Sequence, residues 1–309
     1  MNLIPKENLV VYDLSQSPIT FDFALFLAYA RVELAKKSQS LDFFLHISAD
    51  KWRNITPREK KYTLKERLWR LHNLLIPMCG LSPNVLGYSV FLDDRWRQGE
   101  AISEHAICCE ENNDMTRFLV RAVSEGGIEP HLFKAPEVAL NYADRILAGS
   151  TRPIVVAVRE SSFERARNIS GEFIRKLSQQ LADAGHDVFI IPDQETRSFG
   201  TAANPSAKIL HEAAYNLPLR LALHEKAAVS ICSSGGPMIL TSLAVTKPSF
   251  VVINPVVPGV RVASPEFLSS QGYDVGNVQP FSWTPSNQTW LWDPPVSTQP
   301  VLEATLSLT

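Results

Sequence analysis

Apolar positions along this chain alternate between two rhythms: short β-branched runs, and longer stretches spaced for a helix. Asn8–Leu14 (NLVVYDL) is the first run, closed by Asp13 and a Ser-Gln-Ser-Pro loop. A helix follows from about Thr20 through FDFALFLAYARVELAKK, with Thr20 suited to the N-cap and Asp22 in the first turn, where a negative charge is favoured. Leu41–Ser48 (LDFFLHIS) predicts the next strand. Thr63–Met78 has apolar residues at helical spacing and enough charge for one wet face. Gly87–Leu92 (GYSVFL) predicts a third strand, Ile107–Asn112 fits either state, and Thr116–Ser124 reads as a helix. Pro130–Phe133 is short and extended, and Pro136–Ala148 is a helix with Pro at its start.

A fresh cycle begins after Gly149-Ser150-Thr151-Arg152-Pro153, the best linker in the chain. Strand Ile154–Arg159 (IVVAVR) is followed by helix Ser170–Ala184, strand Asp187–Pro192, helix Ala207–Ala214 and helix Pro218–Lys226. Strand Ala228–Cys232, helix Pro237–Val245 and strand Ser249–Asn254 complete the pattern. Strands separated by helices predict parallel sheets covered on both faces. The expected organisation is a domain over 1–149 and a second over 150–309, with a cleft between them. The end of the chain carries Trp283, Trp290 and Trp292 among prolines, which is expected to cover a domain face or to serve as an interaction surface.

Composition narrows the function. At 309 residues the chain is long enough for two domains. A net charge of −2 and a pI near 6.4 give no reason to expect nucleic acid as a partner. No window offers the roughly 18 uninterrupted apolar residues of a membrane-spanning helix. The opening MNLIPKENLVVYDL lacks the basic-then-apolar layout of a signal peptide. Cys79, Cys108, Cys109 and Cys232 have no metal-ligand spacing, so a reducing cytoplasm is expected.

The chemistry concentrates in the second half, where three segments follow strands and should share the carboxyl edge of one sheet. The most informative is AAVSICSSGGPMIL: an apolar strand runs into Ser233, Ser234, Gly235 and Gly236, and Pro237-Met238 opens a helix. Glycines admit a close ligand and positive φ, and Pro suits the first helical turn. Free N–H groups and the helix dipole then favour an anion. The second segment, after IVVAVR, carries Arg159, Arg165 and Arg167 with Asn168. Arginine forks match phosphate oxygens in pairs. The plainer account of it is a solvated turn in which Glu160 and Glu164 pair with the arginines. The third segment is Pro192-Asp193-Gln194-Glu195-Thr196. Together they predict a nucleotide-diphosphate pocket without a metal.

The second half resembles the C-terminal donor-binding domain of GT-B glycosyltransferases, including the heptosyltransferase-like and fucosyltransferase-like groups. LPLRLALHEKAAVSICSSGGPMILTSLAVTKPSFVVI carries most of the likeness. The resemblance implies an α/β fold of two Rossmann-like domains with parallel sheets. It implies that Arg159, with Arg165 or Arg167, contacts donor phosphates, and that Ser233, Ser234, Gly235 and Gly236 hold a nucleotide-sugar. The acidic motif that often grips ribose is missing, with Glu225 the nearest candidate.

On that likeness the first half binds a glycan or lipid-linked acceptor. Its base must reach the attacking hydroxyl; Asp13 and Asp22 are the candidates, and His46 reads as a core residue. Asp93-Asp94-Arg95 reads as a solvated loop rather than a metal pair. The expected activity is metal-independent glycosyl transfer from a nucleotide-sugar. The alternatives are a non-hydrolysing nucleotide-sugar epimerase using Asp193 with Glu195, and a transferase-like module that only binds a nucleotide or a partner. Helix Tyr62–Met78, with Lys61, Lys65, Arg67, Trp69 and Arg70, is either a peripheral membrane contact or a domain helix with a charged outer face.

Overall fold

The computed structural model describes residues 8–37, 40–48, 62–91, 107–108, 114–161, 164–193, 206–253, 256–257, 259–292 and 297–309. The chain divides into two compact units, Met1–Lys134 and Ala135–Thr309.

The first unit carries a four-stranded sheet of β1 (Leu9–Asp13), β2 (Phe43–Ser48), β3 (Val85–Phe91) and β4 (Ile107–Cys108), in the order β3-β2-β1-β4. Every pairing is parallel. Helix α1 (Asp22–Lys36) is apolar almost all round and buries Phe23, Phe26, Leu27 and Val32, as a helix covered on more than one side must. The cap differs from expectation. Phe21 is the N-cap, and the Thr20 hydroxyl donates to the Asp22 carboxylate at 2.7 Å. The single helix expected over Thr63–Met78 is three pieces: α2 (Leu64–Arg70), a π-helical turn over Leu71–Leu75 and α3 (Ile76–Leu81). Pro77 explains the break, since it has no N–H and its ring crowds the carbonyl four residues back. Thr63 and Glu66 start α2 with a capping box. Helix α4 (Met115–Gly126) packs on α1 and ends at Gly127, whose φ of 62° needs a glycine.

The second unit carries six parallel strands in the order β10-β9-β8-β5-β6-β7. These are β5 (Pro153–Ala157), β6 (Asp187–Ile191), β7 (Lys208–Ile209), β8 (Val229–Ser233), β9 (Phe250–Ile253) and β10 (Gln288–Leu291). Strands β5, β8 and β9 are buried from end to end, the signature of a sheet with helices on both faces. One face packs Ile154, Val156, Ile190, Ile231 and Val251 against Leu177 and Leu181 of α6 (Gly171–Asp183).

Three features depart from the sequence reading. Helix α5 (Glu137–Ile146) belongs to the second unit, so the division falls before it. It packs on α8 (Leu217–Lys226), Asp144 pairs with Lys226 at 2.9 Å, and Ala135 donates its N–H to Glu225 at 3.1 Å. The Gly149–Pro153 stretch is therefore a turn inside that unit, with Gly149 at φ 87°. The segment expected as helix from Ala207 first pairs β7 with β6, then forms α7 (His211–Tyr215). Strand β10 comes from the Trp- and Pro-rich tail and lies parallel to β9. Helices α9 (Gly236–Ser242), α10 (Pro265–Ser270) and α11 (Gln299–Leu306) complete the unit.

Candidate functional site

Strand β5 sits inside the second sheet, and the chain runs from it outward through β6 to β7 before returning to β8 on its other flank. The loops leaving the carboxyl ends of β5 and β8 therefore diverge, and the crevice between them is where open α/β sheets take ligands. Two of the segments singled out in the sequence meet there. The Arg159 N–H donates to Ser233 Oγ at 3.2 Å, and Ser233 Oγ donates to the Ala157 carbonyl at 3.5 Å. The Ser234 N–H donates to the Ile253 carbonyl at 2.7 Å, which pins the turn to the end of β9.

A cavity of about 160 Å³ opens at this point, lined by Ala157, Val158, Arg159, Ser161, Asp193, Arg220, Cys232, Ser233, Gly235, Gly236, Pro237 and Met238. Six of the expected binding residues line it: Arg159, Ser233, Gly235, Gly236, Pro237 and Met238.

Of the other expected residues, Asn168, Arg167 and Ser234 brace the cavity rather than line it. Asn168 Oδ1 accepts from Arg159 Nη1 and, at 3.2 Å, from the Ser161 N–H, while its Nδ2 donates to the Ser161 carbonyl at 2.9 Å. Arg159 Nη1 also donates to the Glu164 carbonyl at 3.3 Å. Arg167 pairs with the Glu164 carboxylate at 2.9 Å and reaches across to the Ser234 carbonyl at 3.3 Å, tying the arginine loop to the glycine turn. Glu164 holds φ 51°, ψ 56°, a left-handed conformation that costs a non-glycine residue. The salt-bridged account of this loop is thus realised by Arg167, while Arg159 faces the cavity. Arg165 is exposed and does not line it.

The role expected of the glycines needs correction. Gly235 is extended, at φ 176° and ψ −178°, and the positive-φ glycines lie elsewhere. A Cβ at Gly235 would sit 3.7 Å from Arg159 Cδ, in ordinary contact. Gly236 is the first residue of α9, Pro237 lies in its first turn, and no side chain caps that turn.

Arg220 was not singled out from sequence. It is 4% exposed, lines the cavity, and donates from Nε to the Ala213 carbonyl at 3.1 Å and from Nη2 to the Pro192 carbonyl at 3.2 Å. Burial pushes its pKa down to about 10, against the pull of the Asp193 charge, so it stays cationic at neutral pH. One turn on, His224 is buried with Nδ1 against Ser230 Oγ at 2.8 Å. Burial first, and the Arg220 charge second, push its pKa down to about 3. Burial raises the Cys232 thiol to about 12, so it is an inert lining group. A signal was available: Arg220 stands between Leu219 and Leu221, and a charged residue set among leucines is seldom buried unless it is paired. Asp193 lines the cavity and accepts from the Glu160 N–H at 3.1 Å; Glu195 lies outside the described residues. Glu225, with a carboxylate on the Ala135 N–H, serves the junction of α5 and α8.

In the first unit, Asp13 ends β1, the strand flanked by β2 and β4. Its Oδ1 accepts from the Ser15 N–H at 2.8 Å, and its carbonyl accepts from Gln16 at 3.0 Å and Ser17 at 2.8 Å, an Asx-type turn. Burial first, then the Asp13 charge, raise the Cys108 thiol on β4. Asp22 is engaged by Thr20. His46 is half-buried in β2, bonded to Ser89 Oγ and edge-on to Phe91, with its pKa lowered by burial. In helix α2 the expected basic face is broken, because Arg67 is buried and Arg70 lies over the Tyr62 ring at 4.1 Å, while Leu64 and Leu68 face outward. Lys61 and Asp93-Asp94-Arg95 lie outside the described residues. Among the described residues no helix is long and apolar enough to cross a membrane, and no group of three or more His, Cys, Asp or Glu is arranged to hold a metal ion.

No protein-family model matches the chain, and no curated protein matches it in sequence. Solved structures do match in fold. The ADP-heptose lps heptosyltransferase II of E. coli superposes with a TM-score of 0.59 at 11% identity, over 97% of this chain and 98% of that one. The glycosyl transferase family 9 structure from Veillonella parvula gives 0.55 at 11% identity, over 100% of this chain and 98% of that one. The E. coli heptosyltransferase WaaC with ADP gives 0.52 at 9% identity, over 97% of this chain and 100% of that one. The chain has the α/β fold of these GT-B glycosyltransferases, with a parallel sheet in each unit.

Proposed function

We propose that the second unit binds the diphosphate of a nucleotide-sugar at the β5/β8 crevice, and that the chain transfers the sugar to a hydroxyl of a glycan or lipid-linked acceptor. The observation that carries this reading is Arg159. It is fixed by Asn168 and Glu164, bonded through its backbone to the Ser233 turn, and lines a cavity together with Gly235. A charge held in place before the reaction stabilises the negative charge that grows on a departing nucleoside diphosphate. The reading needs no metal for this: a guanidinium faces the leaving group, and the loop that carries it is already braced. The first unit is assigned the acceptor, with Asp13 as base and Asp22 as the second candidate. A carboxylate in this role takes the proton of the attacking hydroxyl as the bond to the sugar forms.

Solved structures of the same fold point to the first nucleotide to try, since one is an ADP-heptose heptosyltransferase and another was solved with ADP. The test is a thermal-shift panel of ADP, UDP, GDP, dTDP and CMP, each with and without Mg²⁺. A diphosphate that raises the melting temperature equally in both conditions supports the reading. A panel in which every nucleotide leaves the melting temperature unchanged overturns it. Transfer is then assayed with the matching nucleotide-sugar. Peripheral contact with anionic lipid belongs to the acceptor side of the same proposal, and sedimentation with anionic vesicles tests it.

A further inference from the structure

Arg220 is a buried cation without an ion pair among the described residues. Among the described residues its two hydrogen-bond acceptors are neutral carbonyls, Ala213 in the middle of α7 and Pro192 just past β6. They use two of the five N–H bonds of a guanidinium, and no carboxylate lies within ion-pair distance of it among the described residues. Asp193 acts on it only at longer range, and the carboxylate of that residue accepts the Glu160 N–H. A charge taken out of water and left unmatched is costly, so such a group is held for something. The carbonyl contacts fix its plane in advance, and the cavity is the space it faces.

We propose that Arg220 is a second anion-binding residue of this cavity, its deep cation, with Arg159 as the cation nearer the surface. The inference rests on the nucleotide-sugar reading and adds a residue to it. The two arginines come from separate elements, the loop after β5 and helix α8, and line one cavity. The ligand class is a phosphoryl or diphosphoryl group that enters far enough to lose its water. The buried arginine then supplies a charge-assisted hydrogen bond in a medium that screens it little.

The test uses inorganic pyrophosphate and inorganic phosphate as probes, with binding read by calorimetry on the full chain. Arg220→Met removes the charge, and Arg220→Lys keeps it while losing the fork onto the two carbonyls. The proposal expects pyrophosphate affinity to fall by about thirtyfold or more in Arg220→Met and to be largely restored in Arg220→Lys. It also expects the salt dependence of binding to flatten in the methionine variant alone. A purely structural arginine gives a different pattern: both variants lose melting temperature, and both bind pyrophosphate as the parent does. That result overturns the proposal while leaving the nucleotide reading intact. If the parent chain binds neither probe and no nucleoside diphosphate, the nucleotide reading falls, and this inference with it. Should Arg220→Met fail to fold, a crystal of the parent chain soaked with pyrophosphate decides. A ligand oxygen within hydrogen-bond distance of the Arg220 guanidinium supports the assignment, and a ligand held by Arg159 alone overturns it.

Discussion

The two sheets have the same kind of reversal and use it differently. In the first, β1 is flanked by β2 and β4, and the loop after β1 folds back on itself. Asp13 closes its own turn onto Ser15, Gln16 and Ser17. In the second, β5 is flanked by β6 and β8, and the loop after β5 reaches sideways to the turn after β8, through Arg159 to Ser233 and Arg167 to Ser234. The first loop contributes a carboxylate on a small turn. The second places one cation, Arg159, at a cavity and ties it to the turn after β8. Parallel topology supplies the crevice in both, and in the second the hydrogen bonds of the loops brace the walls of a cavity.

Four measurements break or sharpen that contrast. The largest effect belongs to Asp13. If its carboxylate is the base, Asp13→Asn keeps the Asx turn and lowers the transfer rate by about a hundredfold to ten-thousandfold, while Asp22→Asn stays near the parent rate. An unchanged rate in Asp13→Asn reduces that residue to a turn former. Next is Arg159→Ala. A desolvated charge-assisted contact costs about 2–5 kcal/mol when one partner is removed. Donor affinity should drop by at least about thirtyfold on titration, with the melting temperature of the free protein little changed.

The third concerns the buried histidines. His224 has its pKa lowered to about 3, so the unfolded chain binds a proton there at a pH where the folded chain does not. Stability is fully present above the unfolded value of about 6.5 and falls by up to about 1.4 kcal/mol per pH unit as pH drops toward 3. Urea midpoints between pH 7 and pH 4 check this, and His224→Gln should flatten the slope. His46, only half-buried in the first unit, is also lowered by burial. Replacing it should change the slope less. The smallest effect is Gly235→Ala. Its backbone is extended and a Cβ has 3.7 Å of clearance, so stability should shift by less than about 1 kcal/mol. Gly235→Asp should fold as well and bind donor as poorly as Arg159→Ala, because it sets a carboxylate beside that arginine.

Much of the architecture was legible because strand and helix periods differ so plainly here. LVVYD, PIVVA, DVFII and FVVI are continuous apolar runs, and each became a parallel strand. What stayed hidden has local causes. QTWL is four residues long among prolines, and its strand exists only because β9 offers an edge. The linker Gly149–Pro153 carries every mark of a boundary. Its flanking helix α5 nevertheless packs onto α8, a contact some eighty residues away in sequence that no local pattern encodes. In the site, Arg159 and the Ser233–Met238 turn were readable because both follow strands. Arg165 was over-read, since three arginines in one loop look alike until one is bonded to Glu164, one faces the cavity and one faces water. Arg220 was missed because no motif marks it: it lies in mid-helix, and the residues it meets, Ala213 and Pro192, come from other elements.

The aromatic tail gives the molecule an optical property. Trp283, Trp290 and Trp292 are three of the six tryptophans in the chain, and they gather with Tyr273 and Phe281. Trp290 and Trp292 share one apolar cluster with Cys232 and Met238, two residues that line the cavity. The indoles therefore belong to the same apolar cluster as part of the cavity lining. Ultraviolet emission of the unlabelled protein is positioned to register occupancy, which makes titration of candidate donors a matter of a cuvette and a lamp.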